Sequence, residues 1–267
     1  MFGDTQYHIV PRKGEYFLFD KTAAGMVNHV VFQCPTIMGK GVLIAPTVHG
    51  NVIVGPNAID IEDKENCATT YEGANEIMEK ARRSIITLGT RDLITAFAGL
   101  RAHNECDDFI IEFSQNEKNV LHLVGIESPG LSAAPAIAKH VREQYLSTHA
   151  TVNEKSDFKP ERTPPIRFKE LDNEARRALI DADKAYGRVV CRCETITEGE
   201  ILDAIRAPAG ARDVDGVKRR TSAGMGRCQG GFCGSKVVEI LAKELGVPIN
   251  SITKFGGNSG ILFEKTK

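Results

Sequence analysis

The feature that most constrains this chain is the placement of four of its seven cysteines. Cys191-x-Cys193 is followed, after 34 intervening residues, by Cys228-x4-Cys233. Two close pairs brought together by folding supply four thiolates, the common ligand set of a [2Fe–2S] cluster. Gly224, Gly226, Gly230, Gly231 and Gly234 surround the second pair. Backbone without Cβ can wrap closely around an inorganic core and turn N–H groups toward its sulfurs. A zinc site with the same four ligands competes with this reading, but zinc pairs are usually spaced by about two to four residues, which Cys-x-Cys does not match. Spacing and glycine content favour iron–sulfur over zinc, and a disulfide less than either. Cys191, Cys193, Cys228 and Cys233 are therefore the candidate metal ligands.

Met1 to Asp20 lacks a continuous apolar stretch, so no secretion signal is expected. An odd number of cysteines without an export signal points to a reducing, cytoplasmic compartment. Thirty-four Lys and Arg against 35 Asp and Glu leave a net charge of −1, which offers no global field for nucleic acid. No apolar run approaches the roughly 20 residues needed to span a bilayer, so no transmembrane segment is expected. At 267 residues and 42% hydrophobic composition, the chain can bury a core and suits two folded units.

Two halves follow different patterns. Up to about Ala150, short β-branched and aromatic runs at Glu15 to Lys21, Asn28 to Gln33, Gly41 to Pro46 and Asn51 to Gly55 predict antiparallel strands. Thr47-Val48-His49-Gly50 predicts a hairpin turn with His49 at its tip. Thr69-x-x-Glu72 offers a capping box for a helix carrying Ile77, Ala81, Ile85 and Leu88. Strands are expected again at Leu93 to Phe97, Phe109 to Phe113 and Val120 to Ile126, then a helix over Ser132 to Leu146 with Pro135 in its first turn. Residues 151 to 169 mix charge with Pro160, Pro164 and Pro165 and read as a connector. A helix over Leu171 to Ala185 should stop at Gly187. Thr197-x-x-Glu200 is a second capping box, and Ser235 to Leu245 forms a helix closed by Gly246. The isolated Cys34, Cys67 and Cys106 read as small hydrophobes of the first half. Lys218, Arg219, Arg220 and Arg227 read as a solvated face or as charge balance for the cluster.

The stretch VVCRCETITEGEILDAI, with VKRRTSAGMGRCQGGFC beyond it, resembles the [2Fe–2S] domain named after bacterioferritin-associated ferredoxin. Its CQGGFC spacing is similar to the variant found at the C-terminus of flavin-dependent dehydrogenases. PRKGEYFLFDK, PTVHGNVIVGPNA, FAGLRA and GIESPGLSAAPAIA resemble the substrate domain and closing segment of the D-amino-acid-oxidase-like flavoprotein superfamily. The resemblance implies an α+β architecture. Residues 1–150 would form a mainly antiparallel-sheet substrate domain with a returning segment of the FAD domain. Residues 151–187 would be a linker with a short helix, and 188–267 a small all-α [2Fe–2S]-binding domain with a C-terminal tail.

The function so implied is an FAD- and [2Fe–2S]-dependent dehydrogenase of the glycerol-3-phosphate type. A small hydroxy-acid or polyol-phosphate substrate would pass a hydride to flavin, and the cluster would carry electrons singly to a downstream acceptor. The resemblance turns Ser128, Pro129, Gly130, Leu131 and Ser132 toward the flavin, where a helix N-terminus favours developing negative charge. It sets Arg101, at a strand end, against the substrate's anionic group. His49 is a further candidate base or oxyanion donor. The superfamily's G-x-G-x-x-G is missing, since Gly39-x-Gly41 and Gly224-x-Gly226 lack the third glycine. Met1-Phe2-Gly3-Asp4 reads like an internal stretch, so a C-terminal fragment or one half of a split enzyme is expected, with the FAD-binding half as its partner. The alternative is a stand-alone [2Fe–2S] electron-transfer or binding module that docks to a separate flavoprotein.

Overall fold

The computed structural model describes residues 2–35, 41–148 and 153–264. Gly39 of the Gly39-x-Gly41 pair, and Thr151 and Val152 of the expected connector, lie outside the described residues. The chain divides into two compact units, Met1–Phe158 and Lys159–Lys267, each built of helices and antiparallel strands.

The first unit is organised by β1 (Ile9–Phe19), which antiparallel neighbours flank on both edges. β2 (Leu43–Pro46) pairs with β3 (Val52–Gly55) through the expected hairpin. β3 and then β4 (Ile59–Asp60) follow one another along β1, at Phe17–Phe19 and Arg12–Lys13. β5 (Leu93–Asn104) runs antiparallel to the whole of β1, with a register shift near Phe19. Alternation then sorts the side chains. Phe17, Phe19, Ile44, Val52 and Val54 pack against Ile77, Met78 and Ala81 of α1 (Tyr71–Arg82), and Leu88 completes this core. A separate ladder of β6 (Ile110–Phe113) and β7 (Leu121–Val124) precedes α2 (Gly130–Thr148).

Several expectations are corrected. Asn28 to Gln33 contributes only an isolated bridge from Val31 to Ile44, so that run is not a strand. The cap of α1 is Thr70, whose hydroxyl accepts from the Gly73 N–H, and not Thr69. The helix ends at Arg82, leaving Ile85 and Leu88 in the turns that follow. β1 and β5 are longer than their apolar runs. α2 begins at Gly130, so Pro135 is its sixth residue and lies beyond the first turn. Cys34, Cys67 and Cys106 are exposed and belong to no core.

On the helix-facing side of β1 lies a buried charged pair. Glu15 is 2% and Lys13 4% exposed. The Glu15 carboxylate accepts from the Thr70 N–H and hydroxyl, both at 2.8 Å, which seats it at the N-terminus of α1. Lys13 Nζ stands 3.7 Å from it and donates to the Ala68 carbonyl. A Cβ at Gly73 would fall 2.6 Å from this carboxylate, so the close approach requires glycine.

The second unit holds α3 (Asn173–Ala182), a 3-10 turn at Lys184–Gly187, a ladder of β8 (Val189–Cys191) and β9 (Ile196–Thr197), α4 (Glu198–Arg206), α5 (Val214–Thr221) and α6 (Gly234–Leu245). The ladder corrects the all-α expectation for this region. Ile201, Ile205, Val217, Val237, Leu241 and Ile252 form its core. The capping box at Thr197 and Glu200 is present, and Glu200 also accepts from the Phe168 N–H, fixing the connector to α4. Gly246 ends α6 in the left-handed conformation. Tyr186 lies against Gly199, where a Cβ would fall 2.6 Å from the ring, and its hydroxyl donates to Asp203.

Two outcomes follow from these contacts. Glu15→Ala should cost about 3 kcal/mol in denaturant unfolding, because it leaves Lys13 buried without its carboxylate. Burial first, and then Asp203, raise the Tyr186 phenol above its ordinary value. Its contribution is therefore complete below about pH 10 and declines as pH rises beyond it. Tyr186→Phe should cost about 1 kcal/mol at neutral pH and weaken that alkaline decline, measured by thermal unfolding across pH.

Candidate functional site

In the second unit the four cysteines converge. Cys191 ends β8 and is buried; Cys193 lies in the exposed turn two residues on. Cys228 is half-buried in the loop after α5, and buried Cys233 is the residue that precedes α6. Cys193 Sγ and Cys228 Sγ are 3.6 Å apart, and the buried Cys191 and Cys233 thiols act electrostatically on one another. All four are free, so no disulfide competes.

The loop's backbone serves these sulfurs. N–H groups of Phe232, Gly230 and Gly231 point at Cys228 and, with the Cys193 thiol, hold its pKa below the ordinary range; the Phe232 N–H is the largest influence. Burial, with the neighbouring thiols, pushes the Cys233 thiol up to about 12. A Cβ at Gly226 would fall 2.3 Å from Cys193 Cβ, and Gly230 adopts a φ of 87°. Two thiolates bound to one tetrahedral metal at about 2.3 Å stand about 3.7 Å apart. One sulfur pair at that separation with the other two thiols in the same unit, N–H donors and a loop without Cβ fit a four-thiolate cluster.

In the first unit, a pocket of about 460 Å³ is lined by Leu100, Arg101, Ala102 and Ile126 to Ser132. Arg101 is the ninth residue of β5 and not at a strand end. Its guanidinium crosses β1 where Gly14 leaves room, donating from Nε to the Arg12 carbonyl and from Nη2 to those of Lys13 and Asn57. Nη1 has no protein acceptor, and no carboxylate lies within ion-pair distance of this half-buried cation, among the described residues. Beside it, Ser128, Pro129, Gly130, Leu131 and Ser132 form the entry to α2, with a cis bond between Ser128 and Pro129. Gly130 N–H is bonded to the Glu127 carbonyl and Ala133 N–H to that of Pro129. The N–H groups of Leu131 and Ser132 find no acceptor among the described residues, as the first turn of a helix leaves them. Glu127 is bonded to His103 of β5 at 2.7 Å, which ties this loop to the sheet.

The structure thus brings Arg101 together with Ser128 to Ser132. It does not bring His49 to them. His49 is exposed at the β2–β3 turn, near Phe19, whereas Arg101 pairs with Arg12, seven residues away or about 23 Å along an extended strand.

Residues 1–144 match the family described as FAD dependent oxidoreductase, and residues 189–243 match the BFD-like [2Fe-2S] binding domain. This chain belongs to the FAD-dependent oxidoreductase family. It is 50% identical over all 267 residues to the glycerol 3-phosphate dehydrogenase of Caloramator mitchellensis, spanning 56% of that protein's length. Against the glycerol 3-phosphate oxidase of Mycoplasma genitalium it is 37% identical over 134 residues, 49% of this chain and 35% of the oxidase. The dithionite-reduced L-alpha-glycerophosphate oxidase of Mycoplasma pneumoniae with FAD bound is similar in structure, with a TM-score of 0.50 and 33% identity over 57% of this chain and 39% of that one. The chain spans about half the length, or less, of these relatives.

FAD and a [2Fe–2S] cluster are accordingly the cofactors of the two domains. For this flavoprotein chain, the two unpartnered N–H groups at the pocket's edge fit one polar edge of FAD and not the whole dinucleotide. Sequence reasoning missed Tyr16 and Phe97. Their rings stack at 5.2 Å on the sheet face opposite α1, two positions along each strand from Gly14 and Gly99, beyond which Arg101 follows. Cross-strand register would have revealed the pair, but register is not visible in either strand alone.

Gly226→Ala should lower cluster affinity by about 10-fold or more, since its Cβ displaces Cys193. Iron and acid-labile sulfide per chain measure this; an unchanged content would show that the loop yields freely.

Proposed function

We propose that this chain is the substrate-binding and cluster-bearing part of a dehydrogenase that oxidises glycerol 3-phosphate. The observation that carries this reading is Arg101: a half-buried guanidinium with no carboxylate partner among the described residues, facing a pocket beside the open first turn of α2. The identity with the Caloramator mitchellensis glycerol 3-phosphate dehydrogenase along the whole chain supports the choice of substrate. Arg101 Nη1 would bind the phosphate, with a planar fork suited to it. Its other nitrogens stay tied to β1, so the group is already oriented when substrate arrives. Gly130 permits close approach at the loop, and the N–H groups of Leu131 and Ser132 favour negative charge beside them. Tyr16 and Phe97 form an apolar floor on the same sheet face. Cys191, Cys193, Cys228 and Cys233 hold the iron. When bound, FAD supplies the hydride acceptor and the [2Fe–2S] cluster the one-electron carrier toward a downstream acceptor.

A second reading, a stand-alone electron-transfer module, is favoured by one observation: the second unit has its own core and all four cysteines. The two readings part at the flavin. The full protein including an FAD-binding half should show flavin absorption that bleaches anaerobically on adding glycerol 3-phosphate; visible cluster bands without flavin would favour the module.

In that assembled enzyme, Arg101→Ala should weaken substrate binding by about 2 kcal/mol, a rise in KM of roughly 30-fold with a smaller change in kcat. Arg101→Lys should recover only part of it. An unchanged KM in both variants would remove Arg101 from the substrate site.

A further inference from the structure

The four thiolates differ in depth. Cys191 and Cys233 are 1% and 3% exposed, while Cys193 is exposed and Cys228 half-buried. The close sulfur contact runs across the two sequence pairs, Cys193 Sγ to Cys228 Sγ at 3.6 Å, which leaves the two buried thiols, Cys191 and Cys233, as the other cross-pair. The separation of about 3.7 Å expected for two thiolates on one tetrahedral metal applies to such cross-pairs. Hydrogen-bond donors are also unevenly placed. Backbone N–H groups of Phe232 and Gly230 favour the charged form of Cys228 and that of Cys228 the charged form of Cys193, whereas on the inner side the Cys233 N–H favours that of its own sulfur. Solvent exposure and N–H bonds to sulfur both stabilise the more negative, reduced state of an iron–sulfur centre. Phe232, 86% exposed, and exposed Arg192 adjoin this outer edge in sequence.

We propose that Cys193 and Cys228 share one iron and Cys191 and Cys233 the other, and that the added electron resides on the iron held by Cys193 and Cys228. In this step one electron enters, one ferric iron becomes ferrous, and the charge of the centre becomes more negative by one. No bond is made or broken and no proton moves. The donor is a reduced flavin in the enzyme, or dithionite in vitro. The inference rests on the cluster ligation and is independent of which substrate the enzyme oxidises.

The test uses the cluster-loaded full chain, reduced anaerobically with dithionite. A serine oxygen is a harder donor than a thiolate and favours ferric iron. Cys193→Ser and Cys228→Ser should therefore lower the cluster's midpoint potential, and alter the g-anisotropy of the reduced EPR signal, more than Cys191→Ser and Cys233→Ser do. A second measurement needs no variant. In the reduced wild-type protein, the β-protons of cysteines on ferrous iron show smaller hyperfine NMR shifts than those on ferric iron, and a soluble gadolinium chelate should broaden this ferrous set first, because its ligands are the exposed ones. Larger effects from the inner-pair serines, equal effects from all four, or broadening of the ferric set first would overturn the proposal while leaving the cluster in place. A chain that binds no iron would overturn it together with the cluster assignment.

Discussion

Thiolates brought as close as Cys193 and Cys228, 3.6 Å apart, repel, and this repulsion sets what the second unit must provide. Two like charges about 4 Å apart cost on the order of 4 kcal/mol at the effective dielectric of a protein surface. Bound metal removes that cost, and before metal arrives the thiols are relieved by protons and by N–H dipoles. Both devices are visible here: burial keeps the Cys233 thiol protonated, while N–H groups of the Gly230–Phe232 loop lower Cys228. Metal binding must displace those protons, so cluster assembly is coupled to pH and to the fold. Anchoring therefore matters. The Thr197–Glu200 capping box holds the segment after Cys193, and Cys233 leads directly into α6.

In the first unit charge is handled in the opposite way. On the helix-facing side of β1, Glu15 is matched by Lys13 and by the first turn of α1. On the other side, Arg101 is matched by carbonyl dipoles and, among the described residues, not by a carboxylate. Asn57 joins the two faces. Its side-chain oxygen accepts the Glu15 N–H, and its carbonyl accepts from Arg101 Nη2. A buried ion pair contributes little net stability, and Asn57 links this one to the guanidinium on the other face.

What the sequence made legible was local. The hairpin with His49 at its tip, the Thr197–Glu200 capping box, the Gly246 helix end and the two cysteine pairs each announce themselves within a few residues, because their partners are near in the chain. What it hid was long-range. The first half of β1 escapes a strand pattern because Lys13 and Glu15 occupy inward positions that alternation reserves for apolar side chains. Thr70, and not Thr69, starts α1 because Glu15, 55 residues away, accepts from Thr70. Asn28 to Gln33 has strand composition but pairs only at Val31. Gly99 and Ala102 conceal the length of β5, whose second half is fixed by the β1 edge it lies on. The separation of His49 from Arg101 is likewise a matter of register.

The contrast between the units bears on how each would work. An unmatched cation held by carbonyls, in a pocket open to solvent, can accept an anion and release it, since its resting state is already satisfied in part by dipoles. Four convergent thiolates have no comparable resting state without metal or protons, so their partner is best held permanently. Reversible occupancy suits a substrate, and permanent occupancy suits a redox centre that must pass electrons repeatedly without reassembly. The distribution of charge within each unit is therefore what separates a site suited to exchange from a site suited to permanent occupancy. Both follow from which side chains the backbone leaves without an opposite charge.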